Sequence, residues 1–319
     1  MKHRIRIYLF LLISLFISCK RNIPNFQPSQ EEWEQEIRKV HDGSAVFTYI
    51  QYHNLLSVLN EKNCVVLSLN DFRNYFDETK IIVGMRHDVD RHPFKALEMA
   101  KAEEQYNIKS TWYLLPTDKY YGYLDDNNTF IHINCMNNIY QQIQNLGHEI
   151  GMHNDLLTVM ILWGLDPKQF NADELTYFDL LGIKMNGTTS HGSKIAKETK
   201  TGNYEIFKEF KRKDSVEYEG RKYSLGIDSL KKFGFSYEGN FTEHNKFIYD
   251  VGGKWTYIKY LSENQENRIF PETDIISDKK NASYERENDI PFERVKEIIE
   301  NAVPGDRIII LTHPVWWGK

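Results

Sequence analysis

The stretch IIVGMRHDVDRHPF, residues 81–94, decides how this chain is read. An apolar run, Ile81-Ile82-Val83, leads into Arg86-His87-Asp88-Val89-Asp90-Arg91-His92, and Pro93 follows. The apolar run predicts a buried strand over 81–85. The charged residues fall at its C-terminal mouth, and Pro93 stands where the first turn of a helix tolerates proline. Side chains alternate along an extended chain, so Arg86, Asp88 and Asp90 share one side, and His87 and Val89 the other. Two carboxylates on one side need positive charge between them. A metal ion supplies it, with Arg86 as a second source.

Outward from this stretch, strands and helices alternate. Apolar periodicity and glycine stops predict a helix over 93–106, a strand over 110–115, a helix over 138–146 and a strand over 148–153. A helix over 172–181, a strand over 184–189, a short helix over 227–233 and a strand over 235–241 come next. A helix over 291–302 and the most hydrophobic strand, 307–312, close the chain. Such alternation implies parallel pairing in an α/β layer or barrel. At this length a (β/α) barrel is the natural candidate, with a doubly wound sheet as the alternative.

Strand ends carry the chemistry. Asp88 and Asp90 follow the first strand, His153 ends the strand over 148–153, Ser190 and His191 follow 184–189, and His313 follows 307–312. In an α/β barrel the C-terminal rim gathers such residues from distant parts of the chain. Imidazoles and carboxylates meeting there suit a divalent ion such as zinc, and three protein ligands with an open position mark a catalytic site.

Bulk properties bound the rest. The 319 residues are 41% hydrophobic, enough for a sizeable core, and the net charge of −5 with no basic stripe argues against a nucleic-acid partner. Lys2, His3, Arg4 and Arg6 precede an apolar run over 7–17 and Ser18-Cys19. That run is short for a bilayer span and reads as an export signal over 1–19. The sequence FISC resembles a bacterial lipoprotein processing site, which implies a lipidated Cys19 holding the mature chain on an envelope membrane. Residues 20–45 read as a polar tether and lead-in, and 46–319 as a single catalytic domain. Cys64 and Cys135 read as isolated buried thiols.

With GMRHDVD (84–90), GHEIGMH (147–153), GTTSHGS (187–193) and LTHPVWW (311–317) in this order, the chain resembles the metal-dependent polysaccharide deacetylases with the NodB-type domain, in the subset carrying RHDVD. The resemblance runs from Phe47 to Lys319. It implies a distorted (β/α) barrel, an Asp-His-His metal triad, a second Asp as general base and a late His as general acid. By order, Asp88 matches the base and Asp90 the ligand, although the inserted Val89 leaves the reverse assignment open. The family's second motif carries a further His four residues after the first, and here that position is Leu157. His191 is the candidate replacement, so the expected ligands are Asp90, His153 and His191, with zinc as the expected ion. His313 matches the late His, and Asp250 in YDVGGKW is the residue expected to orient it. Arg86, Trp316 and Trp317 are the expected substrate contacts.

The implied activity is removal of acetyl groups from an N- or O-acetylated sugar of an envelope or extracellular glycan. Two alternatives stand beside it: hydrolysis of a small cyclic amide on the same fold, and a glycan-binding lipoprotein with a degenerate site, which the Leu157 departure favours.

Overall fold

The computed structural model describes residues 30–39, 45–261, 269–270, 275–276 and 284–318. The expected export signal, Cys19 and the start of the tether lie outside the described residues. Among the described residues no helix is long and apolar enough to cross a membrane. The lead-in is more than a tether. Gln30–Lys39 is helical, and Ile37 is buried in the main core.

A ten-stranded, mostly parallel sheet organises the chain. Its strands are β1 (Val65–Leu67), β2 (Ile82–Val89), β3 (Thr111–Leu114), β4 (Glu149–Asn154), β5 (Gly187–Ser190), β6 (Tyr237–Glu238), β7 (Lys246–Tyr249), β8 (Trp255–Tyr260), β9 (Tyr284–Ile290) and β10 (Arg307–Thr312). The hydrogen-bonded order is β6-β5-β4-β3-β2-β10-β7-β8-β9, with β1 beside the first half of β2. β8 and β9 are antiparallel additions at one edge. The parallel pattern expected from the sequence omits them, because only a short 3-10 turn, Val251–Gly253, and no α-helix separates β7 from β8 to signal a crossover. The architecture is mixed α/β, and the ladder does not close on itself among the described residues.

The two faces of the sheet bury different things. Val83, Met85, Trp112, Ile308 and Ile310 point into the main core against helices Tyr49–Glu61, Pro93–Gln105 and Phe292–Glu300. Ile82, Tyr113, Tyr237, Phe247, Tyr249, Ile309 and Leu311 form a second core on the opposite face, closed by Leu69 and Phe72. Glycines make room for its aromatic rings. A Cβ on Gly151 would stand 2.5 Å from the Tyr113 ring, and one on Gly187 2.1 Å from the Tyr237 ring.

The strand over 81–85 runs further than its apolar residues predict. β2 continues through Arg86, His87, Asp88 and Val89, and all eight of its residues are buried. The three charged or polar residues among them do not end it because each is partnered, Arg86 with Asp88 and Asn240, and His87 with Glu103 and Thr312. The strand expected over 235–241 is correspondingly shorter. Tyr237–Glu238 pairs with β5, and Gly239–Phe241 then turns into a single 3-10 turn across the C-terminal ends of the strands.

A candidate metal centre at the strand ends

The alternation along β2 separates its charges as the sequence suggests. His87 faces the helices. Its Nε2 lies 2.8 Å from Glu103 Oε1, its Nδ1 2.6 Å from Thr312 Oγ1, and its ring stacks on Trp112. Arg86 and Asp88 face the other way. Arg86 donates from Nε to Asp88 Oδ1 at 2.8 Å, from Nη2 to Asp88 Oδ2 at 2.6 Å, and from Nη1 to Asn240 Oδ1 at 2.7 Å. Arg86 was expected at the substrate, but it lies beneath Asp88 with its donors engaged and only 1% of its surface exposed.

Asp90, His153 and His191 meet one strand end further on. The three contributing atoms form a small triangle: His153 Nε2 to Asp90 Oδ1 is 3.2 Å, His191 Nδ1 to Asp90 Oδ1 is 3.5 Å, and His191 Nδ1 to His153 Nε2 is 3.2 Å. An ion bonded tetrahedrally at about 2.0–2.1 Å would space its ligand atoms by about 3.3–3.4 Å. The triangle has that size without adjustment.

Two further observations fit an ion. Asp90 Oδ1 is buried and accepts no aligned hydrogen bond, an arrangement that costs free energy unless something else satisfies it. His153 Nδ1 lies 3.1 Å from the carbonyl oxygen of Thr189. A carbonyl can only accept, so Nδ1 carries the proton and Nε2 presents its lone pair to the triangle. This backbone contact fixes the ring as a ligand would need.

Without an ion, the two imidazoles act on the carboxylates as donors and charges instead. Partial burial pushes the Asp90 carboxyl up, but the His191 and His153 imidazoles beside it hold it well below the usual carboxylate range. Burial pushes His191 down, and Asp90 outweighs that and draws it upward. For Asp88, full burial raises the carboxyl, and the Arg86 guanidinium with His153 lowers it further than burial raises it. Both aspartates are carboxylates at neutral pH. Asp88 Oδ2 stands 3.5 Å from His153 Nε2, beside the triangle rather than in it.

His313 follows β10, one residue past the pairing of Thr312 with His87, and so borders Asp88. Its Nδ1 lies 2.6 Å from Asp250 Oδ1, which also accepts the His313 backbone N–H at 2.9 Å. Burial would lower the His313 pKa. The hydrogen bond to Asp250 and its charge, with Asp90 and Asp88 adding, lift it to about 9. His313 is therefore an imidazolium at neutral pH.

The tryptophan pair divides. Trp317 has no exposed surface, and its Nε1 donates to Asp250 Oδ2 at 2.9 Å, so it buttresses the Asp250–His313 pair. Trp316 lines a cavity of about 470 Å³ whose wall also includes Asp90, His191, Leu115, Asp118 and Leu162.

Leu157, where the family pattern has a second His, is buried in the main core in helix Leu156–Ile161, and its backbone N–H donates to Asn203 Oδ1. His191 occupies the corner of the triangle instead. Asn203 Nδ2 donates to the His191 carbonyl at 2.8 Å and holds that loop in place.

Sequence reasoning passed over three contributors. Thr189 acts through its carbonyl, which leaves no side-chain signal. Asn240 reaches Arg86 across 154 positions of sequence. Asp118 sits in a turn after β3, and burial lifts its carboxyl to about 6 against the opposing pull of the Tyr120 N–H and Arg91. Cys64 and Cys135 are free thiols, partly rather than fully buried.

No family model, curated protein or solved structure matches the chain.

Proposed function

We propose that the chain is a metal-dependent hydrolase that removes acetyl groups from an N- or O-acetylated sugar of an envelope or extracellular glycan. The finer fold reading that goes with this is a distorted (β/α) barrel of the polysaccharide deacetylase type. The observation that carries the proposal is the triangle of Asp90 Oδ1, His153 Nε2 and His191 Nδ1, with sides of 3.2, 3.2 and 3.5 Å. Asp88 stands on one side of it, and the protonated His313 borders Asp88.

Asp90, His153 and His191 would hold a divalent ion, with zinc the best match to one carboxylate and two imidazoles. A bound ion lowers the pKa of water and polarises an acyl carbonyl. The protein's own groups do the rest. Asp88, kept ionised by Arg86, accepts the proton of the attacking water. His313, kept protonated by Asp250, donates its Nε2 proton to the departing amine or hydroxyl as the acyl–nitrogen or acyl–oxygen bond breaks. Acetate and the freed sugar group leave, Asp88 gives up the proton it took and His313 regains the one it gave, which restores both groups.

His191 supplies the ligand that Leu157 cannot, which weighs against a degenerate, purely binding site. An anchor at Cys19 and an envelope location belong to the same proposal and rest on the N-terminal sequence.

The test uses purified protein. Bound metal is measured by inductively coupled plasma mass spectrometry, and acetate release from acetylated chito-oligosaccharides is followed with and without chelator. One ion per chain and chelator-sensitive release are expected. Undiminished release from a His153→Ala variant would overturn the proposal. Faster turnover of small cyclic amides than of the oligosaccharide would move the assignment to the amide hydrolases.

A further inference from the structure

We infer that Asp118 is a specificity-determining residue of the cavity, which accepts a hydroxyl hydrogen bond from a neutral sugar ring and disfavours glycans that carry a carboxylate or phosphate there. The inference rests on the glycan reading above and names the class of glycan.

The position of Asp118 is built with care. Its Oδ1 accepts the Tyr120 backbone N–H at 3.2 Å. The Tyr120 hydroxyl in turn donates to the carbonyl of Val89, next to the metal-site Asp90, and accepts from the Leu115 N–H at 2.8 Å. On the other flank, Thr117 Oγ1 donates to Asp155 Oδ2 at 2.7 Å, at the end of β4. The turn is thus pinned to the strand ends carrying Asp90 and His153. A group so fixed can bind a substrate without first paying to be ordered.

One oxygen remains available. Asp118 Oδ2 lies 3.9 Å from Arg91 Nε, an ion-pair distance too long for a hydrogen bond. Asp118 lines the cavity with Asp90 and His191, so a ligand that fills the cavity meets all three. Asp155, the neighbouring carboxylate, is different. Its oxygens already accept from Thr117, Thr158 and Asn203.

The charge balance points to the ligand class. The cavity wall carries the carboxylates Asp90, Asp118 and Asp155 against Arg91 and Lys194, and each of these two cations faces a carboxylate, Asp118 at 3.9 Å and Glu198 at 3.6 Å. An anionic substituent at Asp118 would therefore meet a carboxylate in a wall where carboxylates outnumber the lysine and arginine. A neutral ring meets a hydroxyl acceptor at Asp118 and apolar surface at Leu162, Ile195 and Trp316, which suits the C–H face of a sugar.

Isothermal titration calorimetry on the zinc-loaded full chain tests this. The probes are a neutral N-acetylated chito-oligosaccharide and a hyaluronan oligosaccharide, which alternates the same amino sugar with a uronate. Wild type is expected to prefer the neutral probe. Asp118→Ala is expected to weaken it by about ten- to hundredfold, the loss for one charge-assisted hydrogen bond, and to narrow the gap to hyaluronan. The near-isosteric Asp118→Asn carries the test if the alanine variant fails to fold, with a smaller loss and the same narrowing. Equal binding by wild type and both variants overturns the inference. So does binding of hyaluronan as tight as that of the neutral probe, or no binding of either. Acetate release measured on the same samples keeps the two readings apart. Asp118-dependent binding without acetate release supports the role of Asp118 and overturns the deacetylase reaction.

Discussion

Arg86 grips both carboxylate oxygens of Asp88 from two positions away on the same strand, at 2.8 and 2.6 Å, with neither side chain open to solvent. Residues i and i+2 point to the same face of a strand, so the pair is local in sequence and needs no long-range folding to find itself. Asn240 then takes the remaining guanidinium arm. Arg86→Met should cost about 3–5 kcal/mol, because it leaves a buried carboxylate without its partner. Arg86→Lys keeps the charge but not the two-pronged fit, and should fall between the two. Urea unfolding of the three proteins checks the order, and a lysine variant as stable as wild type would contradict it.

His191 should prove as necessary to the metal as His153. If the site takes zinc as proposed, wild type should bind one ion and melt at a higher temperature when zinc is added, and either alanine variant should lose both. Restoring a histidine at the family's usual place should not help. Leu157 is wholly buried in the main core, so Leu157→His in the His191→Ala background should lose a further ~1–3 kcal/mol from burying an unpaired imidazole and regain no metal. Recovery of one zinc per chain in that double variant would mean that the helix carrying Leu157 can turn toward the site.

The parts of this site that were legible in the sequence obey local rules. Alternation along residues 86–90 put Arg86 and Asp88 on one face and His87 on the other, and the strand ends named Asp90, His153, His191 and His313. What stayed hidden depends on distance. Nothing near Glu103 announces that it accepts from Tyr52, His87 and Ser110. Nothing in Trp316-Trp317 says that one tryptophan faces the cavity while the other bonds Asp250. The shortfall in the fold has the same origin. The strands β8 and β9 both pair antiparallel, and helix–strand alternation cannot reveal a strand that returns antiparallel.

Glu103 accounts for His87, the histidine of the RHDVD segment. Burial raises its carboxyl, and His87, His148 and Ser110 together lower it below the ordinary glutamate value. Glu103→Ala would leave three buried donors without an acceptor. A loss of about 3–5 kcal/mol is expected, with zinc content unchanged in whatever fraction folds, because this network lies on the opposite face of β2 from the triangle. Loss of zinc from folded Glu103→Ala protein would show that the two faces are coupled.

His313 sets a pH dependence in the metal-free protein. Its pKa is lifted from 6.5 in the unfolded chain to about 9 in the folded one, so folding favours the protonated ring. The stabilisation is complete below pH 6.5. It declines as the pH rises from there and is gone above about 9. The full effect is about 3 kcal/mol. Asp250→Asn removes the carboxylate that holds the proton, so the variant should lose most of this alkaline decline while becoming less stable near pH 6. Urea unfolding of chelator-treated wild type and variant between pH 6 and 10 measures both. If the wild-type midpoint is flat across that range, His313 is not the proton carrier assigned to it, and the donor to the leaving group has to be another residue.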